Sequence, residues 1–304
     1  MLNFKCLLCG KSNGNPELVK HGTRDSDHDV VKCPDCGHVQ LYPLPSKKED
    51  AAYYNQNFRD KISSPGLDNN DIYQKFLFQN ENRMRYLIQE TGLEKKWKCL
   101  DYASGYGHFI ELMFTGGYTF DGVEISEERL KICMQRSKRF PDSTIYTFNA
   151  QEEEVPSELT EKYDLITMFH LLEHLVMPID LLKKVRKMLK PEGVLVLELP
   201  NYANRMMEIS REFHDFFFIR DHVSYYTPDT VIIPIKAAGY RNIGISGVQL
   251  YGLTNHMNWI INKGPQLTKP SYESCSGMRW IEDIYKAQLE KTVSSEYMKV
   301  ICYK

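Results

Sequence analysis

No stretch of this sequence is a run of apolar residues long enough to cross a bilayer. Its opening residues, MLNFKCLLCG, lack the basic start and apolar core of a secretory leader. A cytoplasmic protein without membrane insertion is therefore expected. An excess of one charge is missing too: 38 Lys+Arg stand against 40 Asp+Glu, a formal net charge of −2. Without an overall basic field, nucleic acid is not expected as the main partner. Hydrophobic content of 42% with 26% charged residues excludes a disordered chain. The 304 residues can hold one substantial domain and a small appended module. A disulfide framework is not expected in a reducing compartment, so Cys99, Cys133, Cys275 and Cys302, scattered singly, read as small apolar residues.

The other four cysteines are concentrated. Cys6 and Cys9 in CLLCG, and Cys33 and Cys36 in CPDCGH, form two Cys-x-x-Cys pairs, each followed by Gly. Each pair with its Gly can make a tight knuckle with both sulfurs aimed at one centre. Two knuckles supply the tetrahedral S4 set that zinc prefers. Four thiolates fill the coordination shell, so the expected ion is a structural zinc that folds a segment too small to own a core. This zinc-ribbon module is expected over residues 1–50, with ELVK and HDVVK as short strands and His21, His28 and His38 as bystanders. Residues 51–92 read as a helical linker. There Ile72, Phe76, Met84, Leu87 and Ile88 mark one face of a helix that Gly92 closes.

From residue 93 to 304 strand and helix patterns alternate. KCLDYA, YTFDGVEIS, TIYTFNA, YDLITMF and VLVLELP read as strands, separated by helices that include EERLKICMQRSKRF and PIDLLKKVRKMLK. The expected fold class is α/β: a Rossmann-like, doubly wound, seven-stranded mixed sheet with a small N-terminal zinc ribbon. A helical insertion is expected at about 252–294, ahead of a last strand in YMKVICYK, where it shapes an acceptor pocket or a homodimer contact. In LDYASGYGHF, Gly105 and Gly107 let the backbone approach a ligand and aim helix-start N–H groups at it. Asp101 ends the first strand facing the same crevice. Glu124 ends the second strand, about twenty residues beyond the glycines, where a carboxylate can grip ribose hydroxyls.

HLLEH at residues 170–174 also fits H-x-x-E-H, a zinc-protease signature with His170 and His174 as ligands and Glu173 as base. A protease needs that motif on a continuous helix with a third ligand beside it. Here it follows YDLITMF, a strand, and the transferase reading is preferred.

On these residues the chain resembles a class I S-adenosylmethionine-dependent methyltransferase, of the branch with an N-terminal zinc-binding module that includes sugar methyltransferases. The matching stretches are CLLCG…KCPDCGHVQLYPLPS, AAYYN, CLDYASGYGHF, DGVEIS, FNAQE, YDLITMFHLLEHL, LLKKVRKMLKPEGVLVLELPN and DHVSYYTPDTVIIPIKAAGY, from the first cysteine to about residue 240. The resemblance implies S-adenosyl-L-methionine as cofactor, with Asp101, Ala103, Gly105 and Gly107 lining its methionine part and Glu124 on the ribose. It places Asn149 and Ala150 at the adenine edge, and Phe169 and His170 closing the pocket. The family has Gly where this chain has Ala103. It also implies a Glu-His pair beside the methyl acceptor: His174 as the base for a hydroxyl proton, with Glu173 orienting it or binding substrate. His222, in the connection after the fifth strand, aligns with a recurrent family histidine, and Arg220 beside it suits a phosphate. Tyr53 and Tyr54 are candidates to fold over the cofactor. The longer sugar C-methyltransferases carry a further C-terminal domain that these 304 residues do not accommodate, which disfavours carbon and leaves oxygen or nitrogen as the acceptor atom. The expected activity is O-methylation of a small, sugar-derived metabolite. The alternatives are an RNA methyltransferase gripping its substrate with the zinc module, and a non-catalytic module that binds S-adenosylmethionine. The first calls for clustered basic residues on the ribbon, where Asp25, Asp27, Asp29 and Asp35 are interleaved instead.

Overall fold

The computed structural model describes residues 4–12, 15–46, 49, 69–150, 153–265, 277 and 279–304, and the side chains of the first long helix from Leu77 onward. Tyr53, Tyr54 and Cys275, and the side chains of Ile72 and Phe76, lie outside the described residues. The N-terminal segment forms β1 (Glu17–Lys20), β2 (Asp29–Lys32) and β3 (Val39–Tyr42). A fourth strand, β9 (Ser224–Tyr225), comes from far along the chain and pairs antiparallel with β3, Val39 opposite Tyr225 and Gln40 opposite Ser224. The sequence reading had no place for β9. Two residues are too short to show a period, and their partner strand is remote in sequence. The ribbon thus has its own small core, in which Val30, Val39 and Leu41 pack with Phe218, Val223 and Tyr225.

The large sheet holds β4 (Cys99–Tyr102), β5 (Phe120–Val123), β6 (Ile145–Tyr146), β7 (Tyr163–Phe169), β8 (Leu189–Pro200), β10 (Arg241–Val248) and β11 (Tyr297–Tyr303). Their order is β10-β11-β8-β7-β4-β5-β6. Six strands run in one direction, and β11, between β8 and β10, runs antiparallel to both. The expected seven-stranded mixed sheet is therefore present. Its central strands bury nearly every residue because helices cover both faces, and so they read as apolar runs without alternation.

The helices are α1 (Asn69–Thr91), α2 (His108–Thr115), α3 (Glu127–Arg136), α4 (Pro178–Met188), α5 (Met206–Ile209), α6 (Arg211–Phe217), α7 (Pro228–Ala237), α8 (Leu253–Asn262) and α9 (Arg279–Lys291). The helix α4 shows why they form: Leu181, Leu182, Val185 and Met188 make one buried stripe, and Pro178 occupies its first turn, where a missing N–H costs nothing. It stops two residues earlier than its sequence pattern suggests. Leu189 is already paired with Tyr163, and Pro191 disfavours helical backbone at Lys190. The third strand of the pattern shrinks to Ile145–Tyr146, at the sheet's edge. The helices α8 and α9 fill the connection between β10 and β11. Among the described residues no helix is long and apolar enough to cross a membrane.

Candidate functional site

Strand order reverses at β4: the chain winds outward through β5 and β6 on one side and through β7 and β8 on the other. Such a switch point leaves a crevice beyond the C-terminal strand ends, where open α/β sheets bind ligands. The turn after β4 lies in it. Ala103, Gly105 and Gly107 have φ of 67°, 57° and 76°, the left-handed region. A side chain on Gly107 would meet the Cys133 sulfur at 2.9 Å, whereas one on Gly105 would point into open space. The open side of the turn is the side a ligand can approach. Ala103 holds its left-handed conformation at a cost of about 1–2 kcal/mol for a residue with a Cβ, which explains why glycine suits that position. Ala103→Gly is expected to raise the unfolding free energy by about 0.5–1 kcal/mol, the strain relieved less the extra chain entropy of glycine. Urea denaturation checks this, and an unchanged midpoint would mean that the turn bears no strain.

Buried acids frame that turn. The Gly105 N–H donates to Glu124 Oε2 at 2.8 Å and the Ser126 N–H to Oε1 at 2.7 Å, so Glu124 ties the turn to the start of α3. Asp101 accepts from the Thr167 hydroxyl at 2.8 Å, and burial pushes its carboxyl up to about 7. Across the crevice, Asn149 donates its backbone N–H to Glu153, while Ala150 is fully buried with its N–H on the Tyr102 hydroxyl. Phe169 packs edge-on against Phe109 and lies under the Arg83 guanidinium, 4.4 Å from its ring centre.

A buried ionic chain runs from α1 to the end of β7. Arg83 Nε donates to Glu198 Oε1 at 3.0 Å and the Tyr86 hydroxyl to Oε2 at 3.0 Å. His170 Nε2 stands 3.3 Å from Glu198 Oε1, and His170 Nδ1 stands 3.5 Å from Glu173 Oε1. Burial opposes charge on Glu198, yet Arg83 and His170 hold its carboxyl at about 2. Burial likewise opposes charge on His170, but its two glutamates outweigh that and raise its pKa. His170 itself sits at φ 50° where β7 ends. Sequence reasoning missed Arg83, Tyr86 and Glu198. Their one signal was polarity: an acid in the apolar run VLVLELP and an arginine on the inner face of a helix.

The HLLEH segment is no continuous helix. Leu172–His174 form a single 3-10 turn between β7 and α4, and neither Glu173 nor His174 caps α4. His174 Nδ1 lies 2.7 Å from the Asp221 carbonyl, so that nitrogen carries the proton and Nε2 presents a bare lone pair. The His174 and His222 rings are 5.0 Å apart, and burial lowers the His222 pKa to about 3. Glu173, His174 and His222 thus converge, although 48 residues separate the last two in sequence. His214 stands apart, packed on Phe218, whereas the Tyr225 ring lies edge-on to His222 with 6.2 Å between centres and its hydroxyl bonds Ile219. Arg220 is buried, with its backbone N–H on Asp25.

The loop that carries His222 is held by the ribbon. The Phe218 carbonyl accepts from the Arg24 N–H at 2.9 Å, the Val223 carbonyl from the Leu41 N–H at 3.1 Å, and the buried His38 pairs with the Ser224 hydroxyl at 3.2 Å. Within the ribbon, Cys6 and Cys36 sulfurs lie 3.5 Å apart and those of Cys9 and Cys33 3.8 Å apart, all four within 4.8 Å. A tetrahedron of thiolates at the zinc–sulfur bond length has edges of about 3.8 Å. The knuckles match each other: the Gly10 N–H returns to the Cys6 carbonyl and the Gly37 N–H to the Cys33 carbonyl, both at 3.0 Å. This sulfur set fits a closed tetrahedral ion.

With this geometry in place, comparison with known proteins is informative. A family model described as a methyltransferase domain matches residues 72–244. The ubiquinone biosynthesis O-methyltransferase of Actinobacillus pleuropneumoniae serotype 5b is 29% identical over 146 residues, 47% of this chain and 62% of that protein. Its Coxiella burnetii counterpart (strain RSA 331) is 22% identical over 185 residues, 59% of this chain and 78% of the relative. The chain thus spans only about three fifths of the length of the first of these relatives. Among solved structures, Haemonchus contortus phosphoethanolamine N-methyltransferase 2, bound to phosphomonomethylethanolamine and S-adenosylhomocysteine, aligns with a TM-score of 0.52. It is 14% identical and covers 87% of this chain and 61% of its own. A chain from the complex of the Haloferax volcanii Trm112 methyltransferase activator with a methyltransferase aligns with a TM-score of 0.53 at 11% identity, covering 85% of this chain and 99% of its own. At such identities these structures bear on the fold alone.

Proposed function

The chain belongs to the methyltransferase-domain family, and from that premise we propose that it is an S-adenosylmethionine-dependent methyltransferase that methylates a hydroxyl oxygen of a small polar acceptor, a sugar-derived metabolite. The observation that carries this reading is the convergence of Glu173, His174 and His222 beside the strand ends, with the His174 Nε2 lone pair bare. A hydroxyl must shed its proton as its oxygen gains the methyl group, and the Glu173 carboxylate and the His174 Nε2 lone pair can accept it. The O-methyltransferases among the relatives favour oxygen as well.

When bound, the cofactor supplies an activated methyl group on a positively charged sulfur. The chain's own residues do the rest. Gly105 and Gly107 open the turn to the cofactor's methionine part, Asp101 faces its positive charge, and Glu124 is placed for the ribose. Asn149 and Ala150 flank the adenine side, and Phe169 and His170 close the crevice. Glu173, His174 and His222 seat the hydroxyl in line with the departing bond, where alignment and exclusion of water lower the barrier. Cys6, Cys9, Cys33 and Cys36 hold a structural zinc that folds the ribbon, and the ribbon fixes the loop bearing His222.

The test is transfer of a labelled methyl group from S-adenosylmethionine to a panel of nucleotide sugars, free sugars, catechols and amines. O-methylated sugar is the expected product, with His174→Ala lowering the rate by about 10²–10⁴-fold. A methylated catechol in place of a sugar would overturn the sugar acceptor while keeping oxygen as the methylated atom. Methylated amine alone, or full activity in His174→Ala, would overturn the reading.

A further inference from the structure

Glu173 is a buried carboxylate ringed by histidines. Its side chain is 2% exposed, and among the described residues neither carboxylate oxygen has a partner in hydrogen-bond geometry. The groups around it are known. On one side His170 Nδ1 stands at 3.5 Å, an ion-pair distance already shared with Glu198. On the other, His174 Nε2 stands at 3.8 Å. That nitrogen faces the carboxylate with a lone pair, because the proton of the ring is committed to the Asp221 carbonyl through Nδ1. His222 completes the ring of groups, and one ligand atom from each of the three lies within 4.8 Å of the others. A carboxylate oxygen and two imidazole nitrogens thus surround one point.

We propose that Glu173, His174 and His222 bind a divalent transition-metal ion, zinc or one of similar affinity for imidazole, at the mouth of the methyl-transfer crevice. Two imidazoles and a carboxylate are a donor set such ions accept, and three protein ligands leave coordination positions open, as catalytic sites do and the four-sulfur ribbon does not. The ion neutralises the Glu173 carboxylate and gives the His174 lone pair a partner. Its chemical role rests on the proposed hydroxyl acceptor. The acceptor oxygen takes an open position, its O–H bond breaks with the proton released to solvent, and the oxygen's electron pair forms the bond to the methyl carbon as the carbon–sulfur bond of the sulfonium breaks. His174 then acts as a ligand, in place of the proton acceptor expected from the sequence. His170, which H-x-x-E-H would make a ligand, stays between its two glutamates, and His222 takes its place from a different part of the chain.

Metal stoichiometry tests this without any acceptor or turnover. Purified full-length protein is equilibrated with Co²⁺, dialysed, and measured for bound metal and visible absorption. Cobalt in the ribbon shows the charge-transfer band of thiolate ligands. Cobalt at the proposed site adds one equivalent with d–d bands and no thiolate band. Glu173→Gln and His222→Ala are each expected to lose that one equivalent and keep the ribbon's, with S-adenosylhomocysteine binding retained as the control for folding. If either variant fails to fold, the wild-type count and spectrum still decide. A wild-type protein with no cobalt beyond the thiolate-bound ion overturns the proposal, as does an extra ion that survives in a folded variant. The acceptor reading fails separately, by the labelled-methyl assay.

Discussion

Replacing Glu198 with alanine is expected to destabilise the folded protein by about 3–5 kcal/mol, the penalty for leaving buried charges without their partner. Glu198 is 3% exposed and serves three groups at once: Arg83, the Tyr86 hydroxyl and His170. Without it, the Arg83 guanidinium remains buried over the Phe169 ring, and among the described residues only the Asn80 side-chain oxygen then receives a hydrogen bond from it. Chemical denaturation at neutral pH measures the loss. Glu198→Gln keeps an acceptor for Arg83 and should cost less than alanine. The pH dependence has a defined sign. Because the folded carboxyl is held at about 2, below its unfolded value, its contribution is complete at neutral pH and fades as pH falls below about 4 toward 2. A loss under 1 kcal/mol in Glu198→Ala would show that the ionic chain orders the site without stabilising the fold.

Cofactor affinity is expected to follow the ionisation of Asp101. Burial raises its folded pKa to about 7, far above the unfolded value. A group shifted this way stabilises the protonated fold. The contribution is fully present below about pH 4 and is lost as pH rises through 7, so the ligand-free protein is destabilised by ionising Asp101. A cation bound beside the carboxylate reverses this preference. Binding of S-adenosylmethionine, with its positive sulfonium, is therefore expected to weaken about tenfold for each pH unit below 7 and to level off above it. Titration calorimetry from pH 5 to 8 reads the slope. Asp101→Asn should flatten it, bind the cofactor more weakly at pH 8, and leave the ligand-free protein more stable there than the wild type. A wild-type affinity that does not change between pH 5 and 8 would place Asp101 away from the bound cation.

Much of this architecture was legible before any coordinates. The alternation of apolar runs with amphipathic stretches from Lys98 onward gives the α/β fold, because strands buried on both faces can carry few polar residues and α4 can bury only one stripe. The glycine turn and the acids ending β4 and β5 were visible for a similar reason: a backbone that must adopt positive φ and lie open to a ligand constrains residue type locally. The ribbon's cysteines were plain from duplication of Cys-x-x-Cys-Gly alone. Even Ala103, noticed as a departure from glycine, gained its meaning only from φ of 67°.

The sequence by itself determined which local chemistry is available: paired thiols, a ligand-approachable turn, acids at strand ends, and a Glu-His pair after a strand. Tertiary structure alone decided which of these groups meet. It brought His222 to His174, turned Arg83 and Glu198 into one buried pair, and made β9 a strand of the ribbon so that an N-terminal module holds a loop 180 residues away. The physical reason is range. Backbone conformation and periodic burial are set by near neighbours, whereas convergence of side chains depends on packing between elements far apart in the chain, for which a single sequence carries no local period. HLLEH shows both halves: its letters suggested a metal, its strand context argued against a protease, and only the folded chain supplied His222 as the third donor beside Glu173 and His174.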